Sequence, residues 1–278
     1  MSRRPPPART FRGTVSYDGT EFSGWQTQGE RRTVQAILEA ALARVIGAPV
    51  PILAAGRTDA GVHAEGQVIS FRAATSIPPE GIAAAANTIL PEDVAILDLA
   101  PAAEGFHATR DATGKVYRYA VLASRTPRPL LRRFTWRVPA RLDLGRMREA
   151  AALLPGRRDF RSFRTNPGIP GDRGSTVRTL RRADVRRRGE LVLLEFEGDG
   201  FLYNMVRAMA GTLVQVGRGS WPPARVAEAL RAKDRSRAGP TAPARGLTLV
   251  SVSYDGPPRR RPGRGGSRKN APALSRGP

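Results

Sequence analysis

The chain has 278 residues, 40% of them hydrophobic, which is enough to bury a sizeable core as one large domain or as two smaller lobes sharing a cleft. It contains no cysteine, which excludes disulfides, thiolate zinc sites, iron–sulfur clusters and cysteine nucleophiles, and fits a reducing, intracellular compartment. The formal net charge of +22, from 46 Lys plus Arg against 24 Asp plus Glu, makes nucleic acid the leading class of partner.

Two basic segments at the ends of the chain differ in composition from the rest. Residues 1–10 and 256–278 are rich in Pro, Gly, Ser and Arg, so we predict that both are disordered. The second segment has two interpretations, a solvated extension or a specific RNA-binding arm. No apolar run reaches the length of a bilayer span, so the sequence predicts a soluble, cytoplasmic protein with no membrane partner.

The first part of the chain alternates between strand and helix patterns. Val34, Leu38 and Leu42 lie on one face of a predicted helix, which Thr33 is suited to cap and Gly47 to end. Strand patterns precede and follow this helix. The predicted order is strand, helix, strand and strand, at 11–17, 34–46, 52–55 and 67–71, with Asp59 in the loop between the last two strands.

The rest of the chain continues this alternation. Connections stay short until residues 164–176, where Pro and Gly cluster in a predicted surface loop that could separate two lobes. Beyond that loop, two strand patterns form a predicted hairpin that turns at Arg188-Gly189. The further predicted elements are helix 80–88, strands 94–99 and 115–122, helix 144–154, strands 179–187 and 191–197, and helix 201–216.

These elements predict an α/β (α+β) protein with two lobes. We assign residues 11–110, which carry Asp59, to an N-terminal catalytic lobe and residues 111–255 to a C-terminal lobe. Their mixed, antiparallel-rich sheets and flanking helices are expected to surround a central basic cleft. A cleft lined by Arg is a suitable site for RNA.

Most standard catalytic signatures are missing from the sequence. There is no Walker A loop, no complete dinucleotide glycine fingerprint, no Gly-x-Ser-x-Gly elbow and no His-Glu-x-x-His zinc helix. The two histidines, His63 and His107, are far apart in the sequence, and no cysteine is present, so a transition-metal site is not expected. The sequence therefore predicts no metal and no small-molecule cofactor.

One segment places a carboxylate and a cation among small residues between two predicted strands. In this segment, residues 53–63, Gly56 and Gly61 allow the backbone to turn tightly and a substrate to approach closely. The residues alone leave two interpretations of Asp59 open. It could form an Asx-turn with its own loop, or it could be a catalytic carboxylate in a water-poor pocket.

Residues 56–63, Gly-Arg-Thr-Asp-Ala-Gly-Val-His, resemble the signature of the tRNA pseudouridine synthase A (TruA) family, in which the Asp is the essential catalytic residue. Further segments resemble the family in the same order, and the similarity spans about residues 11–255. These segments are Tyr17-Asp18-Gly19, Phe22-Ser23-Gly24-Trp25-Gln26, Thr33-Val34-Gln35, Leu38-Glu39, Phe106-His107-Ala108, Tyr117-Arg118-Tyr119, Asp159-Phe160, Ser162-Phe163, Phe201-Leu202-Tyr203-Asn204-Met205-Val206-Arg207 and Gly246-Leu247.

The resemblance implies a pseudouridine synthase fold and an isomerase activity without cofactor or metal. It implies uridines at positions 38, 39 and 40 of the tRNA anticodon stem-loop as targets, and a homodimer in which one tRNA touches both subunits. Two rival interpretations remain open. The chain could be a non-catalytic RNA-binding protein on the same scaffold, or a pseudouridine synthase that acts on another RNA.

The resemblance also assigns roles to individual residues. Arg207 matches the Arg that pairs with the catalytic Asp59, and such a cation would keep a desolvated carboxylate ionised. Tyr117 matches the active-site Tyr, whose ring can stack on the uracil and whose hydroxyl could assist proton removal from C5. Without the resemblance, Arg207 could be an ordinary solvated helix residue and Tyr117 a core residue. We interpret Tyr119 as structural.

Arg57 is the candidate for substrate handling, because a stacked uracil must leave the stem before chemistry starts. The resemblance gives Arg57 the part of filling the vacated space or holding a phosphate, although it could instead brace the turn. We interpret His63 as a supporting or turn residue, while His107 stays unassigned. Two departures from the family pattern, at Thr109-Arg110-Asp111 and at Ala208, concern RNA positioning more than catalysis.

Overall fold

A ten-stranded mixed sheet runs through the protein. The computed structural model describes residues 6–165 and 174–254. In that part of the chain the strands are β1 Ala8–Tyr17, β2 Leu53–Ala54, β3 His63–Ala74, β4 Val94–Pro101, β5 Gly114–Ala123, β6 Trp136–Val138, β7 Gly156–Asp159, β8 Val177–Arg188, β9 Leu191–Gly198 and β10 Leu247–Ser253. Their order is β4-β1-β3-β10-β5-β9-β8-β7, with β2 beside β3 and β6 beside β5.

Helices supply the other layer. They are α1 Val34–Ile46, α2 Pro79–Asn87, α3 Leu144–Ala152, α4 Met205–Gly217 and α5 Arg225–Ala232. The prediction for α1 is confirmed at both ends: the Thr33 hydroxyl accepts from the Ala36 N–H, and Gly47 takes a left-handed conformation with φ of +81°. None of the described helices is both long enough and apolar enough to cross a membrane.

Strand β1 shows how the sheet buries its core. Phe11, Val15 and Tyr17 alternate with more exposed residues and lie on the buried face. Phe11 faces Phe71 of the antiparallel neighbour β3, and their rings stack with centroids 5.1 Å apart. The strand begins at Ala8, so residues 8–10, which we predicted as part of a disordered extension, belong to the sheet instead.

Strand β10 was not predicted, and it lies at the centre of the sheet. It pairs in parallel with β3 and antiparallel with β5. The two groups of strands that we assigned to separate lobes therefore form one continuous sheet. The lobe boundary at residue 110 stays a prediction, and most of the predicted boundary loop at 164–176 lies outside the described residues.

The predicted start of the last long helix is wrong by four residues. Helix α4 begins at Met205 because Asn204 has a left-handed conformation, with φ of 57°, that an α-helix cannot continue through. Residues 201–204 are therefore free to form a turn beside the helix start. The short helix α5 was missed, since its apolar face comprises only Val226, Ala229 and Leu230.

Candidate active site

A cavity of about 590 Å³ opens where the loop between β2 and β3, strand β5 and the start of α4 meet. All four residues that the sequence singled out lie in its wall. The lining residues are Gly56, Arg57, Thr58, Asp59, Val62, Thr109, Lys115, Tyr117, Phe201, Leu202, Tyr203, Asn204, Met205, Val206, Arg207 and Leu247.

Neighbouring strands and loops hold the chain on both sides of residues 56–58. The Gln67 side chain donates to the Gly56 carbonyl at 2.7 Å, and the Tyr17 hydroxyl lies 2.8 Å from the Thr58 hydroxyl. The Thr58 carbonyl accepts from the Trp25 N–H at 3.0 Å. Such buried hydrogen bonds fix the backbone that presents the next residue, Asp59, to the cavity.

Gly24 makes room for this arrangement. Its φ of +95° lies in a region that side chains rarely adopt, and a β-carbon there would sit 2.9 Å from the Thr58 carbonyl oxygen. Only glycine lets the two loops approach so closely. The flanking segment 22–26 therefore packs against residues 55–62, the loop between β2 and β3 that carries Asp59. We call these residues the carboxylate loop.

His63 anchors the end of the carboxylate loop. Its Nδ1 accepts from the Gly19 N–H at 3.0 Å, and its Nε2 lies 2.9 Å from the Arg133 carbonyl oxygen. A proton on Nε2 suits these two partners, because a carbonyl can only accept and a backbone N–H can only donate. The buried ring thus ties three segments together, which fits its interpretation as a supporting residue.

The carboxylate of Asp59 and the guanidinium of Arg207 form an ion pair. An Arg207 Nη1 donates to Asp59 Oδ2 at 3.1 Å, and the two side chains are 17% and 25% exposed for Arg207 and Asp59 respectively. Among the described residues, Arg207 is the hydrogen-bond partner of the Asp59 side chain. The Asx-turn interpretation is therefore wrong: the bond that closes this turn runs from the Val62 N–H to the Asp59 backbone carbonyl.

Arg207 is itself held in place by two other acceptors. Its Nε donates to the Ala242 carbonyl at 2.7 Å, and its Nη1 donates to the Asn204 side-chain oxygen at 2.7 Å. The segment carrying Ala242 packs closely on α4, since a β-carbon on Gly211 would collide with the Pro240 carbonyl. A guanidinium fixed at three points aims at the carboxylate without further ordering.

Two opposing influences act on the pKa of Asp59. Burial raises it, while the charge and the hydrogen bond of Arg207 lower it. Burial is the larger effect, so the net pKa of Asp59 lies above its usual value. We predicted that Arg207 would favour the ionised carboxylate, and its charge and hydrogen bond act in that direction. The pKa of Asp59 is therefore closer to physiological pH than the pKa of an exposed aspartate side chain.

Asn204 is a site residue that the sequence analysis did not single out. Its amide nitrogen donates to the Thr165 hydroxyl at 2.5 Å, while its oxygen accepts from Arg207. The left-handed backbone of Asn204, which prevents α4 from beginning earlier, also directs this side chain at the guanidinium of Arg207. A local signal exists, because Asn is among the few residues that tolerate this conformation.

Tyr117 lies on β5 with its side chain toward the cavity. It is 8% exposed, and its ring meets Phe201 edge to face with centroids 5.1 Å apart. Burial, with smaller contributions from Tyr17 and Asp59, raises the pKa of Tyr117 well above the ordinary value for tyrosine, which is itself above physiological pH. The phenol therefore keeps its proton at physiological pH. It can donate a hydrogen bond, but it is not present as a phenolate that could act as a base at this pH.

Tyr119 has a different environment from Tyr117. It is fully buried, and its hydroxyl donates to the Pro243 carbonyl at 2.7 Å. A β-carbon on Gly246 would lie 2.6 Å from its ring, so the ring is packed flat against the backbone. This packing fits the interpretation of Tyr119 as a structural residue.

Three cations, Arg57, Lys115 and Arg207, face the cavity around the single acidic residue of its described lining. Arg57 is exposed at the loop and makes no hydrogen bond or ion pair with any other described residue. Lys115 donates to the Ala55 carbonyl at 2.8 Å. We missed Lys115, although alternation along β5 places it on the Tyr117 face. The charge surplus suits a phosphate-bearing ligand.

The chemistry of this wall is that of one carboxylate among cations. Within residues 6–165 and 174–254, no three His, Cys, Asp or Glu side chains are grouped so as to hold a metal ion. A mixed sheet that presents an ion-paired, largely buried Asp, a buried Tyr and further cations around one cavity is typical of an enzyme that acts on a nucleic acid.

Comparisons with known proteins identify the family. A family model described as tRNA pseudouridine synthase matches residues 14–109 and 150–255. The chain is 46% identical to tRNA pseudouridine synthase A of Pelobacter propionicus over 249 residues, covering 88% of this chain and 100% of that protein. It therefore belongs to the tRNA pseudouridine synthase family, as the sequence resemblance predicted.

Other relatives of the same name agree with this assignment. The tRNA pseudouridine synthase A of Myxococcus xanthus is 46% identical over 252 residues, covering 90% of this chain and 94% of that protein. The enzyme of that name from Acidiphilium cryptum is 47% identical over 245 residues, with 87% and 94% covered. A solved Cbf5-Nop10-Gar1 complex is similar at 13% identity with a TM-score of 0.30, over 74% of this chain and 54% of that chain, too distant to support an argument.

Proposed function

We propose that this protein converts uridine to pseudouridine at positions 38, 39 and 40 of the tRNA anticodon stem-loop, with Asp59 as the catalytic carboxylate. The observation that carries the proposal is the Asp59–Arg207 ion pair at the wall of the cavity, beside the buried Tyr117. The relatives' shared name supports tRNA as substrate. The enzyme is expected to act in the cytoplasm and without a cofactor.

The reaction rearranges bonds within one nucleotide. The bond between ribose C1′ and uracil N1 breaks, the base turns, C5 bonds to C1′ and loses its proton, and N1 gains one. The carboxylate could attack C1′, attack the ring, or remove a ribose proton to open a glycal route. Each route needs Asp59 in its ionised form, which the charge and hydrogen bond of Arg207 favour.

Arg57 is proposed to act on the substrate before the chemistry. Flipping a stacked base costs a few kcal/mol, which contacts to the displaced strand must offset. The Arg57 guanidinium is exposed and unengaged within the described part of the chain, so it is available to hold a phosphate or fill the vacated space.

Replacing Tyr117 by Phe is expected to lower kcat by about 100-fold and to leave KM nearly unchanged. The ring that faces the base stays, while the protonated hydroxyl that can assist proton transfer at C5 is lost. Tyr119→Phe is the matched control. It removes a hydroxyl bound to Pro243 and is expected to reduce stability by about 1 kcal/mol with kcat preserved. Equal kcat values for both variants in steady-state assays would contradict a role for the Tyr117 hydroxyl.

Pseudouridine mapping by carbodiimide-dependent primer extension tests the proposed function. Purified protein is incubated with tRNA carrying uridines in the anticodon arm, without added cofactor, and stops are mapped. New stops at positions 38, 39 or 40 support the proposal. Stops only in a wider RNA pool would favour a synthase for another RNA. No stops in any RNA would favour the non-catalytic RNA-binding alternative.

The family resemblance further supports a homodimer that contacts one tRNA with both subunits. Analytical ultracentrifugation at micromolar protein concentration is expected to give twice the mass of a single chain. A single-chain mass under these conditions would contradict the dimer, while leaving the proposed reaction untouched.

A further inference from the structure

The structure has a second cavity, of about 520 Å³, and arginines make up half of the residues that line it. No acidic residue is among the described residues that line it. The arginines are Arg128, Arg132, Arg133, Arg137 and Arg245. Five guanidinium groups around one cavity concentrate positive charge there. Which of them can bind a ligand depends on the carboxylates and carbonyls that each already contacts.

Two of these arginines are already neutralised. Arg128 pairs with Glu190 at 2.7 Å, and Arg133 lies 3.6 Å from Asp18 and 3.4 Å from Glu21. These pairs fix the edges of the cavity rather than leaving free charge. They are not available to a ligand without breaking an existing ion pair.

The other three arginines keep their charge uncompensated. Arg132 donates to the Pro129 carbonyl at 3.4 Å, Arg137 to the Arg125 carbonyl at 2.9 Å and Arg245 to the Thr135 carbonyl at 3.2 Å. None of the three has a carboxylate within ion-pair distance in the described part of the chain. Backbone carbonyls thus orient three cations toward one place, an arrangement that suits several phosphates at once.

The arginine cavity and the carboxylate cavity are lined by residues that lie close together in the sequence. Arg245 lines the first and Leu247 the second, and two residues span at most about 7 Å. The link is reinforced at His63, whose Nε2 lies 3.2 Å from the Arg245 carbonyl oxygen. A polyanion with one nucleotide in the carboxylate cavity can therefore extend to these cations.

We propose that the arginine cavity binds the sugar–phosphate backbone of the substrate RNA, at nucleotides next to the one that enters the carboxylate cavity. This inference rests on the proposed function, since it assumes that RNA is the polyanion. Charge complementarity favours an RNA backbone, which carries a phosphate at every nucleotide. The cavity thus fixes which stretch of RNA lies across the site without reading its bases.

The test compares two double variants that remove equal charge. Arg132→Gln/Arg137→Gln alters the cavity, whereas Arg44→Gln/Arg158→Gln alters exposed arginines on α1 and on the edge strand β7. Arg245 is avoided because it lies two residues before Leu247, which lines the carboxylate cavity. Steady-state rates on a full-length tRNA give kcat and KM, and fluorescence anisotropy in the Asp59→Asn background gives affinity as a function of salt.

The cavity variant is expected to raise KM about ten-fold with kcat within about two-fold, and to reduce the slope of log affinity against log salt by about one to two. The control pair should change each value less than about two-fold. Equal effects of both pairs, or no effect of either, would overturn the inference. If the wild type forms no pseudouridine, the proposed function fails. The RNA affinities measured by anisotropy still test whether the arginine cavity binds RNA. Thermal unfolding verifies folding, and single Arg132→Gln replaces any double variant that unfolds.

Discussion

Replacing Asp59 by Asn is expected to reduce pseudouridine formation by roughly 10⁴-fold or more, with RNA affinity retained. Asn has nearly the shape of Asp and can still accept the hydrogen bond from Arg207. It cannot attack a carbon or remove a proton, so every proposed route is closed. Single-turnover assays with excess enzyme measure the chemical step directly. Residual activity within about ten-fold of the wild type would contradict the catalytic role.

The same substitution has an expected effect on stability, with a sign set by the pKa of Asp59. Burial raises that pKa in the folded protein above its unfolded value. The folded protein therefore holds the proton of Asp59 more tightly than the unfolded chain does. The resulting contribution to the free energy of unfolding is present in acid and is lost as the pH rises through the folded pKa. An asparagine side chain never ionises and avoids that loss. The variant should therefore melt at or above the wild-type temperature at pH 7 in scanning calorimetry.

A melting temperature several degrees below the wild type would mean that the lost activity has a structural cause. Measurement at acidic pH provides the internal control, because the protonated Asp59 side chain of the wild type and the asparagine side chain of the variant are both uncharged there. The difference between the two proteins should therefore shrink in acid. This pH dependence separates the ionisation of Asp59 from any general loss of packing.

Arg207→Gln is expected to lower kcat by roughly 100-fold at pH 7, which corresponds to about 2.7 kcal/mol of activation free energy. Removing Arg207 leaves burial to raise the pKa of Asp59 without opposition, so less carboxylate is ionised at pH 7. The acid limb of the pH–rate profile should move to higher pH, and part of the activity should return in alkaline buffer.

Arg207→Lys is the control that separates charge from geometry. Lysine keeps a cation near Asp59 but cannot reach the Ala242 carbonyl, the Asn204 side chain and the carboxylate with one planar group. It should leave the acid limb closer to that of the wild type while still lowering kcat. An Arg207→Gln profile that is reduced equally at every pH would contradict the electrostatic role.

Local signals account for the elements that the sequence predicted well. Helix α1 has an apolar face with a cap at Thr33 and a stop at Gly47, so both ends are marked in the sequence. Strand β10 has an apolar–polar pattern of its own, but nothing local marks its place in the sheet, because its neighbours β3 and β5 are more than about a hundred residues away along the chain. Its place is decided by tertiary pairing, which local propensity cannot reveal.

The candidate site shows the same division between local and distant information. Asp59, Tyr117 and Arg207 come from three separate parts of the chain, and only the family resemblance joined them before the fold was known. Lys115 could have been found from its alternation with Tyr117 along one strand. The pKa of Asp59 could not be predicted, since it is a balance between burial and one ion pair.

The central position of β10 has a consequence for biosynthesis. Nine of the described strands precede it in the chain, yet β3 and β5 can complete their hydrogen bonds only when Leu247–Ser253 arrives between them. A nascent chain that lacks this segment has two open strand edges, one on β3 and one on β5. The sheet that carries the carboxylate cavity is therefore completed late in translation.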